Sequence, residues 1–263
     1  MRLLVGVGVV VGCVLFVGSS APRGELFDGS GSVVAGRVMT WNICNPCDVG
    51  NGERAAEIAA HAPEVVGLQE ACVRDVEEIR QRLRAAYGLV YHVEYGTVLR
   101  NWNRCGGLPW RPGAYGQAVL SAAPMTGVVV EEYPDGGSED RGYMAVTTVV
   151  GGRPVRVFNT HLAERRQEAV RAQQAGVLGA AVARHDRVIV LGDLNARPTA
   201  SELDVLLGPH AGGRCGAGAC EPTTDWETKF DYVLLRGVVP LGQRVVPTAY
   251  SDHHLLYADV DAG

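Results

Sequence analysis

The sequence has almost no lysine: Lys229 stands alone among 24 Lys and Arg residues. Nearly every fixed cation is therefore a guanidinium, the group suited to forked contacts with phosphate and carboxylate. A coding bias toward Arg, Ala, Gly and Val accounts for the same count. An excess of positive charge is also missing. With a formal charge of -5 an unspecific electrostatic grip on nucleic acid by the whole surface is not implied, though a local basic groove remains open. There is no polar low-complexity tract, which argues against disorder, and no repeat of solenoid period. What remains is an ordinary globular composition, 47% hydrophobic over 263 residues, enough for a packed core in one large domain or two small ones.

The one long apolar run, "LLVGVGVVVGCVLFVG" after Met1-Arg2, is short for a membrane-spanning helix and is followed by the small residues "SSA". That is the shape of a secretory signal peptide over residues 1–21, with a small polar linker at 22–36 and a domain at 37–261. The protein is expected to be secreted. A second reading takes "VVGC" as a lipoprotein box that anchors Cys13 at the cell surface, but strongly apolar residues continue after that cysteine. Cleavage removes Cys13 and leaves an even set, Cys44, Cys47, Cys72, Cys105, Cys215 and Cys220, for which export predicts disulfides. Cys215 and Cys220 are close enough to bridge across glycines, while the other four leave more than one pairing. "CNPC" with "CGAGAC" also has the spacing of a zinc site; in an exported chain disulfides are the preferred reading.

Along the chain, strand-like and helix-like segments alternate. "GRVMTWNI" and "EVVGLQE" read as strands, separated by the helix "GERAAEIAAHA" that ends at Pro63. "RDVEEIRQRLRAAYG" is an amphipathic helix with Val76, Ile79 and Leu83 on one face, stopped by Gly88. Five strand segments follow between residues 89 and 162, with a hairpin signal at Gly151-Gly152. A helix is expected over 165–184, then the strand "RVIVLGDLN" and a short helix announced by Pro198 and a capping box at Thr199–Glu202. "KFDYVLLRG" and "HLLYADV" close the chain as strands. The pattern predicts an α/β domain with two sheets packed face to face.

Polar groups collect at strand ends where a plain core strand would have none: Asn42, Glu70, Asn159, His161, Asp193, Asn195, Asp231, Asp252 and His253. Asp193 and Asn195, two apart on a strand, share a face. Taken singly, each has an ordinary explanation as a turn residue, a helix cap or a satisfied core histidine. Taken together they point to one shared site, because burying each alone would cost free energy at every place. Carboxylates and amides without a cysteine-histidine cluster suit a hard cation, Mg²⁺ or alternatively Mn²⁺ or Ca²⁺. Imidazoles that hold no metal remain for proton transfer and charge stabilisation, an inventory fitted to hydrolysis of phosphate esters.

The ordered set "TWN", "GLQE", "NTHL", "GDLN", "DYV" and "SDHH", from about Arg37 to Val260, resembles the endonuclease/exonuclease/phosphatase superfamily, the deoxyribonuclease I-like group. The resemblance implies a four-layer α-β-β-α sandwich, two mixed β-sheets flanked by helices, with the site at one end of the sheets. It also implies roles. Glu70 is the principal metal ligand, with Asn42 beside it and Asp252 completing or approaching the shell. Asp193 polarises the attacking water, and Asn195 orients it or holds the phosphate. His253 stabilises the transition state with Asp231 holding its imidazole, and His161 is a second phosphate-facing imidazole. Arg141 and Asn159 are the expected substrate-binding residues. One departure stands out: relatives of the abasic-nuclease type carry an acid where this chain has Cys44, which favours a single metal over a two-metal site.

For substrate, export and the loop "RNWNRCGGLPWR" at 100–111 favour DNA, with RNA as an extension, since arginines and tryptophans suit phosphates and bases. The same loop also reads as a disulfide-tethered surface loop with its tryptophans packed beneath. The alternatives are a sphingomyelinase-like phospholipid substrate or an inositol phosphate, and a catalytically inactive binding protein on the same fold. No exposed apolar hairpin for membrane docking stands out in the sequence. No obligate protein partner is evident, and a monomer is expected.

Overall fold

A computed structural model describes residues 31–45, 47–213 and 220–263. The expected signal peptide, the cysteine at 13, most of the expected linker and Cys215 lie outside the described residues. Thirteen strands and five helices follow in chain order: β1 (Val34–Asn42), α1 (Asn51–His61), β2 (Pro63–Cys72), α2 (Val73–Tyr87), β3 (His92–Arg100), α3 (Trp102–Cys105), β4 (Gly107–Leu108), β5 (Arg111–Pro112), β6 (Ala114–Ser121), β7 (Thr126–Glu132), β8 (Gly142–Val150), β9 (Arg153–His161), α4 (Glu168–Val182), β10 (Val188–Asp193), α5 (Asp204–Leu207), β11 (Asp231–Arg236), β12 (Val239–Val246) and β13 (Leu255–Asp261).

Two mixed sheets result. The first runs β12-β13-β1-β2-β6-β3 and the second β11-β10-β9-β8-β7, with parallel pairs β1·β2 and β9·β10 at their centres. Period-two alternation sorts their side chains into layers. Val38, Val65, Ile189, Leu191 and Val233 point between the sheets with Met144 and Val157. Their chain neighbours Met39, Trp41, Val66 and Leu68 point outward against Ile58, Val76, Ile79 and Leu83 of α1 and α2. Phe158, Val188, Val190 and Leu234 cover the other side beneath Leu178, Val182 and Leu206 of α4 and α5. The chain is thus the α-β-β-α sandwich that the motif order implied.

Some elements differ from the sequence reading, each for a physical reason. The first strand starts at Val34, three residues before the expected domain start. Helix α4 begins at Glu168 rather than near 165, because buried Arg171 gathers the carbonyls of Ala163, Glu164 and Arg165 into a loop around its guanidinium. The capping box at Thr199–Glu202 does not form: Ala200 is the cap of a 3-10 turn at Ser201–Leu203, and Glu202 pairs with Arg171 at 2.6 Å instead. Strand β12, "VPLGQRVV", was hidden by Pro240 and Gly242, which an edge strand tolerates. A small hairpin of β4 and β5 also emerges, with Leu108 49% and Trp110 80% exposed, so an exposed apolar tip exists after all.

The cysteines resolve in the same way. Cys44 bridges Cys47, and Cys72 bridges Cys105, pinning α3 to the end of β2. A zinc site using Cys44 and Cys47 is thereby contradicted, since disulfide sulfurs are no longer thiolate ligands. Cys220 is also disulfide-bonded.

Candidate active site

Register, rather than any one motif, assembles the centre. On β10, Asp193 lies opposite His161 of β9 on one side and opposite Asp231 of β11 on the other. Three polar side chains thus stand in a row on the inner face of one sheet. Gly192 is required for this closeness, because a Cβ there would collide with the carbonyl oxygen of Thr160. From the other sheet come Asn42 at the end of β1 and Glu70 near the end of β2, and from the loop before β13 comes His253.

Asp193 is the hub. Its Oδ2 lies 3.2 Å from Asn42 Nδ2, 3.3 Å from His161 Nε2 and 3.6 Å from His253 Nε2, while Oδ1 accepts from the Asn195 backbone at 2.8 Å. Burial alone would raise this carboxyl, but His253 and His161 outweigh it and hold Asp193 well below the usual carboxylate range. Asn42 joins the two sheets electrostatically. Its Oδ1 accepts from Cys44 N at 3.0 Å, which fixes the amide so that Nδ2 donates both to Asp193 and to Glu70 Oε1 at 3.1 Å.

His253 is fixed from both ends. Its Nδ1 faces Asp231 Oδ2 at 2.9 Å, and its backbone carbonyl accepts from the Trp41 indole at 3.1 Å. Burial would lower this imidazole, yet Asp231 and Asp193 override it and push it up to about 10. Burial pushes the Asp231 carboxyl up, with His253 offsetting only part of the effect. The indole of Trp226, which the sequence reading did not single out, stands edge-on to the His253 ring at 5.4 Å and is 42% exposed. The chain's lone lysine, Lys229, is buried beneath Asp231, donating to its carbonyl at 3.1 Å; burial lowers it to about 8.

His161 is oriented by Arg141, whose Nη1 can only donate and lies 2.8 Å from Nδ1. Nε2 faces Asp193 Oδ2 and the side-chain amide of Asn195. Arg141 is only 5% exposed and is also held by Glu139 at 3.0 Å, and Glu139 in turn binds Arg104 at 2.7 Å. The structure thus places Arg141 behind His161 in the site wall. Glu139 was missed by sequence reasoning; its only signal was an acid two residues before Arg141.

Two expectations change more. Asn159 was expected to bind substrate, but it is fully buried between the sheets: its Nδ2 donates to Leu68 O and Ala118 O, both at 2.9 Å, and its Oδ1 accepts from Gln69 at 2.7 Å. It is a cross-link of the two sheets. Replacing it by leucine strands two carbonyls and an amide, so Asn159→Leu is expected to lose about 3 kcal/mol in urea unfolding. A variant as stable as the parent with a raised KM would restore the substrate role. Asn195, expected to share the strand face of Asp193, lies beyond the end of β10 at φ 51° and reaches the site through a turn over the Asp193 carboxylate. Its side chain stands 3.0 Å from His161 Nε2.

Could these residues hold a divalent cation? Glu70, at φ 53°, turns its carboxylate to a partly exposed position where Asn42 is its hydrogen-bond donor. Cys44 and Asn195 are also left-handed, so strain concentrates around this opening. Asp252 lies within 4.8 Å of the Cys44 and Cys47 sulfurs. The oxygen donors, and the absence of a free thiolate from the bridged pair, fit a hard cation anchored by Glu70. Asn42 could join only through the second lone pair of Oδ1. In the buried group Asp193, Asp231 and His253, His253 Nδ1 is hydrogen-bonded to Asp231 Oδ2 at 2.9 Å and its Nε2 faces Asp193 Oδ2 at 3.6 Å, while Asp231 Oδ1 has no hydrogen-bond partner among the described residues.

Comparisons with known proteins bear on the family and the fold. A sequence model of the endonuclease/exonuclease/phosphatase family matches residues 39–253. None of the curated proteins matches the chain. Among solved structures, an endonuclease/exonuclease/phosphatase from Beutenbergia cavernae is similar at 24% identity and TM-score 0.67, covering 86% of this chain and 71% of that one. TDP2 of D. rerio, complexed with single strand DNA product, is similar at 17% identity and TM-score 0.64, covering 86% and 98%. The human Nocturnin catalytic domain with bound sulfate is similar at 21% identity and TM-score 0.64, covering 88% and 96%. At these identities the likeness to the solved structures is one of fold.

Proposed function

Because the chain belongs to the endonuclease/exonuclease/phosphatase family, whose members are metal-dependent phosphoric ester hydrolases, we propose that it is a secreted nuclease that hydrolyses phosphodiester bonds of DNA, and of RNA as an extension. The observation that carries the catalytic part is the single hub, Asp193, ringed by two imidazoles and tied through Asn42 to Glu70. The likeness to a TDP2 complexed with single strand DNA product supports nucleic acid as substrate. The Cys44–Cys47 and Cys72–Cys105 bridges support export. Among the described residues no helix is long and apolar enough to cross a membrane.

Each residue has a task in this reading. Glu70 would hold the divalent cation, Mg²⁺ in this reading, with Asp252 and Asn42 Oδ1 as further oxygen donors, and the ion would supply charge neutralisation at the phosphate. Asp193 Oδ2 orients the attacking water and takes its proton. A carboxylate held so low is a weak base, so it receives that proton only as the water bonds to phosphorus and becomes strongly acidic. Asn195 fixes the opposite oxygen of Asp193 through its backbone N–H. His253, kept cationic by Asp231, and His161, aimed by Arg141, donate to the phosphoryl oxygens where negative charge grows. The new P–O bond forms with water as the bond to the leaving oxygen breaks, and that oxygen takes a proton from solvent.

EDTA is expected to abolish hydrolysis of plasmid DNA, and Mg²⁺ to restore it, in an agarose nicking assay. Undiminished cleavage in EDTA would sink the metal-dependent reading. A phospholipid substrate is the second reading, favoured by the exposed Leu108–Trp110 tip. Turnover of sphingomyelin without turnover of nucleic acid would select it.

A further inference from the structure

Six arginines that the catalytic cluster leaves unused line two clefts, one beside each sheet. The first, of about 560 Å³, opens next to Asn195 and is lined by Arg165, Arg166 and Arg197, with Phe230. Arg171 in its wall is neutralised by Glu202, and Glu168 is the remaining acid. Among the described residues, none of the guanidinium groups of Arg165, Arg166 and Arg197 has a carboxylate partner. The loop that carries Arg165 and Arg166 is itself held in place by the carbonyl contacts of Arg171.

The second cleft, of about 580 Å³, starts at Val73, just past Glu70 on the other sheet, and is lined by Arg74, Arg100 and Arg111. Its one acid, Glu77, is already taken by Arg80 and Gln81. Arg74 meets Asp75 only at 3.7 Å, with its own side chain 76% exposed. The wall contains Cys105, pinned to Cys72, and the pinned segment carries the exposed indoles of Trp102 and Trp110.

The two clefts leave the centre on different sheets, and Asn42 links the sheets at the centre itself. A small phosphate monoester would be satisfied at Asp193 and Glu70 and would need neither cleft. Uncompensated guanidinium groups on both sides, in a chain of net charge -5, place positive charge where a polyanion would cross the pocket. Exposed indoles on one side suit unpaired bases. Resting on the nuclease reading, we infer that the substrate is a single strand of nucleic acid that passes through both arginine clefts. Phosphates on either side of the scissile one sit in the clefts, so cleavage is internal.

The test compares a dinucleotide, a 20-mer and a closed single-stranded circle, for the parent protein and two triple variants. These are Arg165→Ser/Arg166→Ser/Arg197→Ser and Arg74→Ser/Arg100→Ser/Arg111→Ser, with thermal melting to verify folding. In the parent, kcat/KM is expected to rise at least about 100-fold from dinucleotide to 20-mer, the scale of a few added phosphate contacts. Each triple variant is expected to cut that ratio at least tenfold and to flatten the log–log salt dependence by roughly 2, about 0.7 per lost phosphate contact. The circle is expected to be cut. Equal kcat/KM on dinucleotide and 20-mer, a ratio untouched by the variants, a preference for duplex, or an uncut circle would each overturn the inference. So would variants whose only loss is binding to phosphatidylserine vesicles. Parent protein that hydrolyses no nucleic acid of any length would instead bring down the nuclease reading beneath it.

Discussion

Asp193→Ala is expected to lower kcat on DNA by at least about 10³-fold, the scale seen when a group acting on the transition state is removed. The carboxylate is the common partner of Asn42, His161, His253 and the Asn195 backbone. Its loss removes the acceptor for the water's proton and at the same time takes away the anion that both imidazoles face. The fold should survive, because the inner core of Ile189, Leu191 and Val233 is packed independently of it. Single-turnover kinetics beside far-ultraviolet circular dichroism check both statements. A folded variant retaining a tenth of the parent rate would remove Asp193 from the mechanism.

His253→Ala is expected to cost a similar factor, about 10³-fold, since the cation is buried where an oxyanion-type charge develops. Its pH signature separates a chemical role from a packing role. The imidazole is raised to about 10, so activity that depends on the cation is retained through neutrality and lost as pH rises through that value. The stability contributed by its pairing follows the same direction: it is fully present below the unperturbed value of 6.5 and disappears as pH climbs through about 10. Asp231→Asn removes the anion at 2.9 Å and should move the alkaline limb of the rate profile down by more than one pH unit. An unmoved limb would mean that another group sets it. Asp193, whose carboxyl is depressed, acts at the other end. Its contribution is present above the ordinary carboxylate value of 3.8 and is lost as pH falls through its lower folded value.

Much of this site was legible in the sequence. The polar ends of "TWN", "GLQE", "GDLN", "DYV" and "SDHH" stand out because a buried strand that ends in an acid or an amide needs a reason. The outward periodicity of α2, with Val76, Ile79 and Leu83, likewise fixed which face would be buried. Other features left no local trace. Asn159 looks identical in sequence to a catalytic amide, and only its three partners from the opposite sheet reveal a cross-link. Trp226 and Glu139 sit in loops whose composition says nothing of the imidazole or the guanidinium they meet.

The sequence by itself determined the layers and the chemistry on offer, because period-two and period-3.6 burial and the polarity of strand ends are properties of neighbouring residues. Only the tertiary structure decided the pairings. Which cysteines bridge, which amide faces a carboxylate, and which arginines stay unpaired depend on register between strands far apart in the chain. A shift of one residue in β10 would turn Asp193 away from His161 and Asp231 toward the opposite face of its sheet.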